Sequence, residues 1–240
     1  MLEYTELKRN RRRCLALTGL IPKEFTALLP FFVEAYSRTY EGDKTVAGQQ
    51  RQRQRGGGCA STLTTPAQKL LFILVYQKTY PLQVVMGELF EMSQSSANHW
   101  MHRLLPVLRD ALTDMGVMPE RKGAQFALAE RKQKGAPSSI SDGTERRRQR
   151  PKKPEKQALH YSGKKKAHSD KNVIIVQTQS KRVAYRSPTC AGKTHDKKVV
   201  DGEQMAYPHQ ATLYQDTGFQ GYEPKVADCR QPPKSRAAKS

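Results

Sequence analysis

The sequence lacks several features that would assign it to a common class of protein. It has no apolar run of about 18 residues, the length that a membrane-spanning helix needs, and its mean hydropathy is −0.75. The N-terminus, MLEYTELKRNRRRC, has no apolar segment of the kind that a secretion signal requires. These absences predict a soluble protein of the cytoplasm with no membrane partner.

Cysteine is also scarce and scattered. Cys14, Cys59, Cys190 and Cys229 are far apart, and no two of them have CxxC spacing. Zinc clusters and secreted disulfide frameworks both depend on recurrent cysteine spacing. The sequence therefore predicts free thiols and no zinc site.

Acidic residues are few compared with basic ones. The 240 residues include 42 Lys and Arg against 22 Asp and Glu, a net charge of +20. Folding does not require such an excess, which favours a polyanionic partner, above all nucleic acid. Charge alone would also allow an RNA-binding protein, but no aromatic motif typical of RNA recognition is visible.

The first part of the chain has the pattern of a small helical unit followed by a linker. Apolar residues recur at helical spacing in residues 1–41, at Phe25, Leu28, Leu29, Phe32, Ala35 and Tyr36. Residues 42–61 contain three consecutive glycines and an alternating Gln/Arg run with no apolar face. We expect a basic, Gly-rich linker there.

Three helices with tight joints are predicted in residues 62–115. Thr65, Pro66 and Gln68 have the pattern of a capping box with proline in the first turn, and LLFILVY follows. Pro81 opens a second helix, and Ser93 caps a third that runs from Gln94 to about Leu112.

The third helix has two distinct faces. The inward face repeats apolar residues at Ala97, Trp100, Leu104, Leu108 and Ala111 or Leu112. The outer face carries Gln94, Ser95, Asn98, His99, His102 and Arg103. These groups can reach base edges and phosphates, as in helix-turn-helix proteins, although an ordinary solvated face has the same composition.

A change of periodicity separates this helical part from the rest. Residues 116–137 are rich in basic residues and Gly-Ala-Pro, which predicts a linker. Extended runs follow: one ending at Asp142, a predicted hairpin of 172–177 and 182–187, and one ending at Asp216. A short amphipathic helix within 194–206 completes the order strand, strand, strand, helix, strand.

Asp142 and Asp216 are the candidate catalytic and metal-binding residues. Each ends a predicted strand and has a glycine within two residues, which would let the backbone turn sharply. If the two strands are neighbours, the carboxylates converge and need a divalent cation, Mg²⁺ or Mn²⁺. Such a site supports phosphoryl transfer. The alternative is that these Asp-Gly sequences are simply turns.

A basic segment lies between the two aspartates. Residues 145–171 hold 11 Lys or Arg against 3 acids, and we expect the clusters Arg146, Arg147, Arg148 and Lys164, Lys165, Lys166 to grip the DNA backbone. A solvated loop is the alternative for part of this segment. His160, His168 and His195 lack metal-ligand spacing, so no ligand role is assigned to them.

Several segments, in order, resemble bacterial insertion-sequence transposases of the DDE-superfamily endonuclease group related to Harbinger elements. They are LTGLIPKEFTALLPFFVEAY, LLFILVYQKTYPLQVVMGELFEMSQSSANHWMHRLLPVL, DGTERRRQRP, YSGKKKAH and RVAYRSPTCAGKTHDKK. The resemblance implies an α+β multidomain chain. An all-α helix-turn-helix domain would bind transposon ends, and an incomplete ribonuclease-H-like α/β catalytic domain over 138–240 would act on them and on target DNA.

The resemblance also assigns roles to individual residues. Asp142 matches the first catalytic aspartate of the family and Asp216 the second. The third acid of the family is a glutamate well downstream, whereas only 24 residues follow Asp216, and Glu223 and Asp228 are too close to it. The resemblance therefore implies a truncated chain that cannot cleave DNA alone. It would be nucleoid-associated and would act as a homo-oligomer or with full-length transposase, or only as a DNA-binding regulator.

Overall fold

The computed structural model describes residues 1–40, 49–50, 61–130 and 138–233. The chain divides into two compact units, Met1–Val117 and Met118–Ser240. The predicted linker 42–61 therefore lies almost entirely outside the described residues, as do the end of the second predicted linker, 131–137, and the C-terminal residues 234–240.

The first unit is helical in its described residues. Its helices are α1 (Tyr4–Leu7), α2 (Arg11–Thr18), α3 (Pro22–Tyr40), α4 (Pro66–Thr79), α5 (Gln83–Phe90) and α6 (Gln94–Asp114). No single helix among the described residues is both long and apolar enough to cross a membrane. Within the ranges given above, one pair of helices, α2 and α3 across a 49° bend, meets that requirement of length and composition.

The ends of α4 and α6 confirm the predicted caps. The Thr65 hydroxyl accepts the backbone N–H of Gln68 at 3.1 Å, and the Gln68 side-chain oxygen accepts the Thr65 N–H at 3.2 Å. Pro66 occupies the first turn, where its missing N–H costs nothing. At α6, the Ser93 hydroxyl accepts the Ser96 N–H at 3.2 Å. These local signals fix where the two helices begin.

One core joins the N-terminal helices to α4, α5 and α6. Phe25 and Phe32 of α3 are fully buried with Phe72 of α4 and Phe90 of α5, and the Phe72 and Phe90 rings meet edge to face at 5.0 Å. Residues 1–41 and 62–115 were predicted as separate segments. They pack as one unit because α3 presents its apolar face to α6 and α4.

The second unit is built on a mixed sheet. Its strands are β1 (Ser138–Arg147), β2 (Tyr161–Ser162), β3 (Ala167–Gln177), β4 (Val183–Arg186), β5 (Cys190–Ala191), β6 (Thr212–Gln215) and β7 (Asp228–Arg230). The α-helices of this unit in the described residues are α7 (Phe126–Glu130), α8 (Pro154–His160) and α9 (Asp196–Gly202), and short 3-10 helices span Gly123–Gln125 and Thr217–Phe219.

The sheet places β1 between an antiparallel and a parallel neighbour. The path of paired strands is β2-β3-β1-β6-β7, and β4 and β5 also pair with β3. The β3–β4 pairing is antiparallel, which confirms the predicted hairpin, and α9 lies between β5 and β6 as expected. β1 pairs in parallel with β6, and β6 pairs in parallel with β7.

Part of the segment predicted as a linker, 116–137, belongs to the second unit. The backbone of Glu120 exchanges hydrogen bonds with Ala184 and Arg186 at 2.8 and 3.0 Å. Phe126 is buried, and its ring meets that of Tyr185 edge to face at 6.1 Å. Phe126 anchors this segment to the second unit, a role that the basic composition of the segment did not suggest.

Candidate functional site

The outer face of α6 carries most of the predicted DNA-contacting side chains in solvent. Gln94, Ser95, His99 and His102 are exposed, and Asn98 is half-buried. Helix α5 and the short turn after Phe90 precede α6, and the first turn of α6 is fixed by the Ser93 cap. Ala97, Leu104, Leu108 and Ala111 are buried, which confirms the predicted inward face.

Arg103 differs from its predicted neighbours on this face. Its guanidinium lies 4.0 Å from the centre of the Tyr40 ring and 5.5 Å from that of Trp100. The Tyr40 hydroxyl in turn donates a hydrogen bond to the Arg103 carbonyl at 3.0 Å. Arg103 therefore packs against α3 rather than projecting freely, and helical periodicity gives no sign of this because the rings come from a distant segment.

Asp142 and Asp216 follow residues that are paired in neighbouring parallel strands. Ser141 of β1 is the register partner of Gln215 of β6, so the next position on each strand is an aspartate. Side chains alternate across a strand, which puts Asp142 of β1 on the face that carries Ile140. Asp142 is exposed, and Asp216 is partly exposed. The β1–β6 pairing thus brings the two aspartates to neighbouring positions along the backbone.

The local structure around the aspartates differs from the predicted strand ends. β1 does not stop at Asp142 but continues to Arg147, because β3 pairs with it from Ser139 to Arg147. β6 does end at Gln215, and one oxygen of Asp216 accepts the Gly218 N–H at 2.8 Å, which caps a short 3-10 turn.

The glycines near the aspartates are needed for space rather than for a sharp turn. The glycines with positive φ among the described residues are Gly19, Gly116 and Gly221, not Gly143 or Gly218. A β carbon at Gly143 would instead lie less than 3.0 Å from the carboxylate of Asp196. The turn predicted after Asp142 was therefore wrong, although the need for glycine there is real.

A buried ionic cluster lies on the opposite, covered face of the sheet. The Lys171 ammonium on β3 is 3.1 Å from Asp196 and 3.4 Å from Glu145, and it donates a hydrogen bond to the Thr194 carbonyl at 2.9 Å. Glu145 also accepts the Ser169 hydroxyl at 2.9 Å. No sequence pattern points to this cluster, because its members are separated along the chain.

The cluster shifts the pKa of Glu145 and the pKa of Lys171 toward their charged forms. Burial alone would raise the pKa of Glu145, but hydrogen bonds from Ser162 and Ser169 and the charge of Lys171 hold it below its ordinary value. Burial would lower the pKa of Lys171, but Asp196 and Glu145 raise it above its ordinary value. Glu145 and Lys171 are therefore both charged at neutral pH.

The predicted backbone-gripping residues are exposed in the second unit. Arg146 and Arg147 lie at the end of β1, and Lys164, Lys165 and Lys166 form the turn between β2 and β3. Arg148 is also exposed but pairs with Asp170 at 2.9 Å. The segment predicted to be partly a solvated loop thus includes the end of β1, α8 and β2.

The remaining acids and histidines lie elsewhere. Asp228 of β7 is the register partner of Thr212, four positions before Asp216, and forms an ion pair with Arg230 at 2.7 Å. His160 contacts Asp170 at 2.9 Å. Within the described ranges, no group of three or more His, Cys, Asp or Glu residues is arranged to hold a metal ion.

Two family models match the chain. Residues 61–114 match the helix-turn-helix of DDE superfamily endonuclease, a range that contains α4, α5 and α6. Residues 141–238 match the DDE superfamily endonuclease, a range that contains Asp142 and Asp216. No curated protein and no solved structure matches the chain. Together, the two family matches support a DDE-superfamily endonuclease with an N-terminal helix-turn-helix domain, and hence a DNA-binding protein of the transposase and nuclease type.

Proposed function

We propose that this chain is the DNA-binding and catalytic part of an insertion-sequence transposase, in which Asp142 and Asp216 hold a divalent metal ion. The observation that carries the proposal is the register of β1 and β6, which pairs Ser141 with Gln215, the residues just before the two aspartates. Both lie in the range that matches the endonuclease family. A coincidental pair of turns would not require two parallel strands in this register.

The second unit is proposed to have a ribonuclease-H-like fold. The support is the mixed sheet, in which β1 lies between antiparallel β3 and parallel β6 and carries the first aspartate. In such a sheet, carboxylates on adjacent parallel strands converge without any long loop to position them.

The two aspartates suit Mg²⁺ or Mn²⁺. Both ions prefer carboxylate oxygens, and Mg²⁺ keeps several waters and binds through one or two carboxylates plus the phosphates of its substrate. Asp142 is exposed, and Asp216 keeps a fixed orientation through the Gly218 N–H. A bound divalent ion would lower the pKa of the attacking water or 3′-hydroxyl and stabilise the leaving oxygen.

DNA recognition is proposed to be divided between the two units. The outer face of α6, with Gln94, Asn98 and His99, would read the transposon ends, because amide and imidazole groups form hydrogen bonds with base edges. Arg146, Arg147 and the lysines at 164–166 would neutralise phosphates of end and target DNA without sequence preference. A protein with these partners would be associated with the nucleoid.

Metal binding provides the direct test. Mn²⁺ binding to the full chain should weaken in Asp142→Asn and in Asp216→Asn by more than the roughly 10- to 100-fold that outer-shell changes typically cause. Asp228→Asn is the matched control. It changes the same charge on β7, at a position about 13 Å along β6 from Asp216 at 3.3 Å per residue. Equal Mn²⁺ affinity in all four proteins would refute the proposed site.

DNA binding tests the division of labour. Asn98→Ala should reduce binding to DNA that contains the element ends and leave binding to unrelated DNA unchanged. Replacing Lys164, Lys165 and Lys166 by alanine should weaken binding to both DNAs alike. It should also flatten the salt dependence by about one unit of slope for each phosphate that is no longer neutralised. An equal loss of specificity from both changes would contradict the assignment.

A second candidate function is a DNA-binding regulator or inhibitor of full-length transposase. It is favoured by the finding that no third carboxylate joins Asp142 and Asp216 in a metal-binding group among the described residues. Specific retention of end DNA in gel-shift assays, with no nicking in Mg²⁺ or Mn²⁺, would support this alternative. Metal-dependent nicking that Asp142→Asn abolishes would support the transposase.

A further inference from the structure

Asp196 is a largely buried acid close to the candidate site. It is the first residue of α9, and its side chain is only 13% exposed. A buried carboxylate is costly unless it is paired, and Lys171 provides the paired charge at 3.1 Å. The ion pair with Lys171 thus offsets the cost of burying the Asp196 carboxylate beside the candidate site.

The Asp196 carboxylate packs against two backbone segments that carry the candidate aspartates. The three heavy atoms nearest to a β carbon at Gly143 all belong to this carboxylate. A β carbon at Gly218 would lie 2.6 Å from Oδ2 of Asp196 and 3.0 Å from Oδ1 of Asp216. Gly143 follows Asp142 directly, and Gly218 is two residues after Asp216.

Asp196 approaches from the face of the sheet opposite to Asp142. Strand alternation puts Gly143 on the same face as Glu145, where the ionic cluster lies, whereas Asp142 points to the open face. Asp196 therefore does not lie beside Asp142 as a further ligand. Asp196 contacts the backbone at Gly143 and at Gly218, where it can set the distance between these two segments.

Lys171 holds Asp196 in this place. Lys171 is 9% exposed, and its ammonium is fixed by Asp196, Glu145 and the Thr194 carbonyl. A side chain with three fixed partners loses its rotational freedom on folding and not when metal or DNA binds. The arrangement is therefore preorganised.

We propose that Asp196, anchored by Lys171, is a positioning residue that fixes the spacing of the backbone segments carrying Asp142 and Asp216. The inference rests on the proposed function, in which those aspartates bind a divalent metal. It adds a residue whose carboxylate acts by packing against β1 at Gly143 and against the 3-10 turn at Gly218.

The test compares Asp196→Ala with Asp201→Ala in the full chain. Asp201 is on the same helix, but its carboxylate is 44% exposed and pairs with Lys197. Since Lys171 keeps Glu145 as a counter-ion, Asp196→Ala should still fold. We expect hydrogen exchange to rise about tenfold or more in 140–145 and 214–220 only, and Mn²⁺ affinity to fall roughly 10- to 100-fold. Asp201→Ala should change neither.

The outcomes separate the positioning role from general stability and from the proposed function. Unchanged exchange in either segment, or a uniform rise across β3 and β4 as well, would overturn the inference, as would wild-type Mn²⁺ affinity in a folded variant. If Asp196→Ala does not fold, Asp196→Asn is judged by the same criteria. If Asp142→Asn binds Mn²⁺ as tightly as the wild type, the proposed function fails, and the exchange data, which need no metal, still decide the role of Asp196.

Discussion

Replacing Gly143 by alanine adds one methyl group to a strand, a change that usually favours folding. It restricts the unfolded chain and so contributes about 0.4–1 kcal/mol where the native backbone accepts it. At Gly143 the new carbon would lie less than 3.0 Å from the Asp196 carboxylate. Overpacking of this kind costs about 1–3 kcal/mol. We therefore expect a net loss of about 1–2 kcal/mol in the free energy of unfolding of the second unit.

A double-mutant cycle isolates this contact. Asp196→Ala removes the carboxylate and opens the space that the methyl group needs. In that background Gly143→Ala should cost nothing, or should stabilise the unit slightly. The interaction energy between the two changes should lie within the 0.5–3 kcal/mol, roughly, that contacting residues give.

The assay must report on the second unit alone. Trp100, the single tryptophan of the chain, lies in α6 of the first unit, so its fluorescence reports on that unit and serves as an internal control. The second unit is followed by native-state hydrogen exchange of core amides such as Val173 and Ile175 on β3. An equal cost of Gly143→Ala with and without Asp196 would refute the packing argument.

Three further changes test other interactions. Arg103→Ala should lower the stability of the first unit by about 1–2 kcal/mol, because the guanidinium that packs on the aromatic rings is lost. Trp fluorescence during denaturation would detect this loss, and unchanged stability would contradict the packing role. Thr65→Ala removes the cap of α4 and should cost about 1 kcal/mol in the same assay, whereas Thr65→Ser should cost little. The pKa of Glu145 is lowered in the folded state, so its contribution to stability is complete above about pH 4.3, its unfolded value, and is lost as the pH falls through the folded pKa. The stability gap between wild type and Glu145→Gln, measured by exchange in the second unit, should therefore shrink in acid, and a gap independent of pH would contradict this.

The sequence predicted features that depend on neighbours along the chain. The Thr65 capping box and the Ser93 cap need only residues within one helical turn, so the starts of α4 and α6 are visible in the sequence. The hairpin of β3 and β4 follows from two apolar runs joined by a short polar turn. Asp142 and Asp216 could be singled out because each ends a predicted strand and has a glycine within two residues.

Contacts between distant segments were decided only by the tertiary structure. The pairing of β1 with β3 carries β1 past Asp142, and the packing of α3 on α6 turns Arg103 toward Tyr40. Lys171 and Asp196 meet only because β3 and α9 lie together. Composition and periodicity report which side chains favour burial, but they do not specify which distant partner neutralises a buried charge or occupies the space beside a glycine.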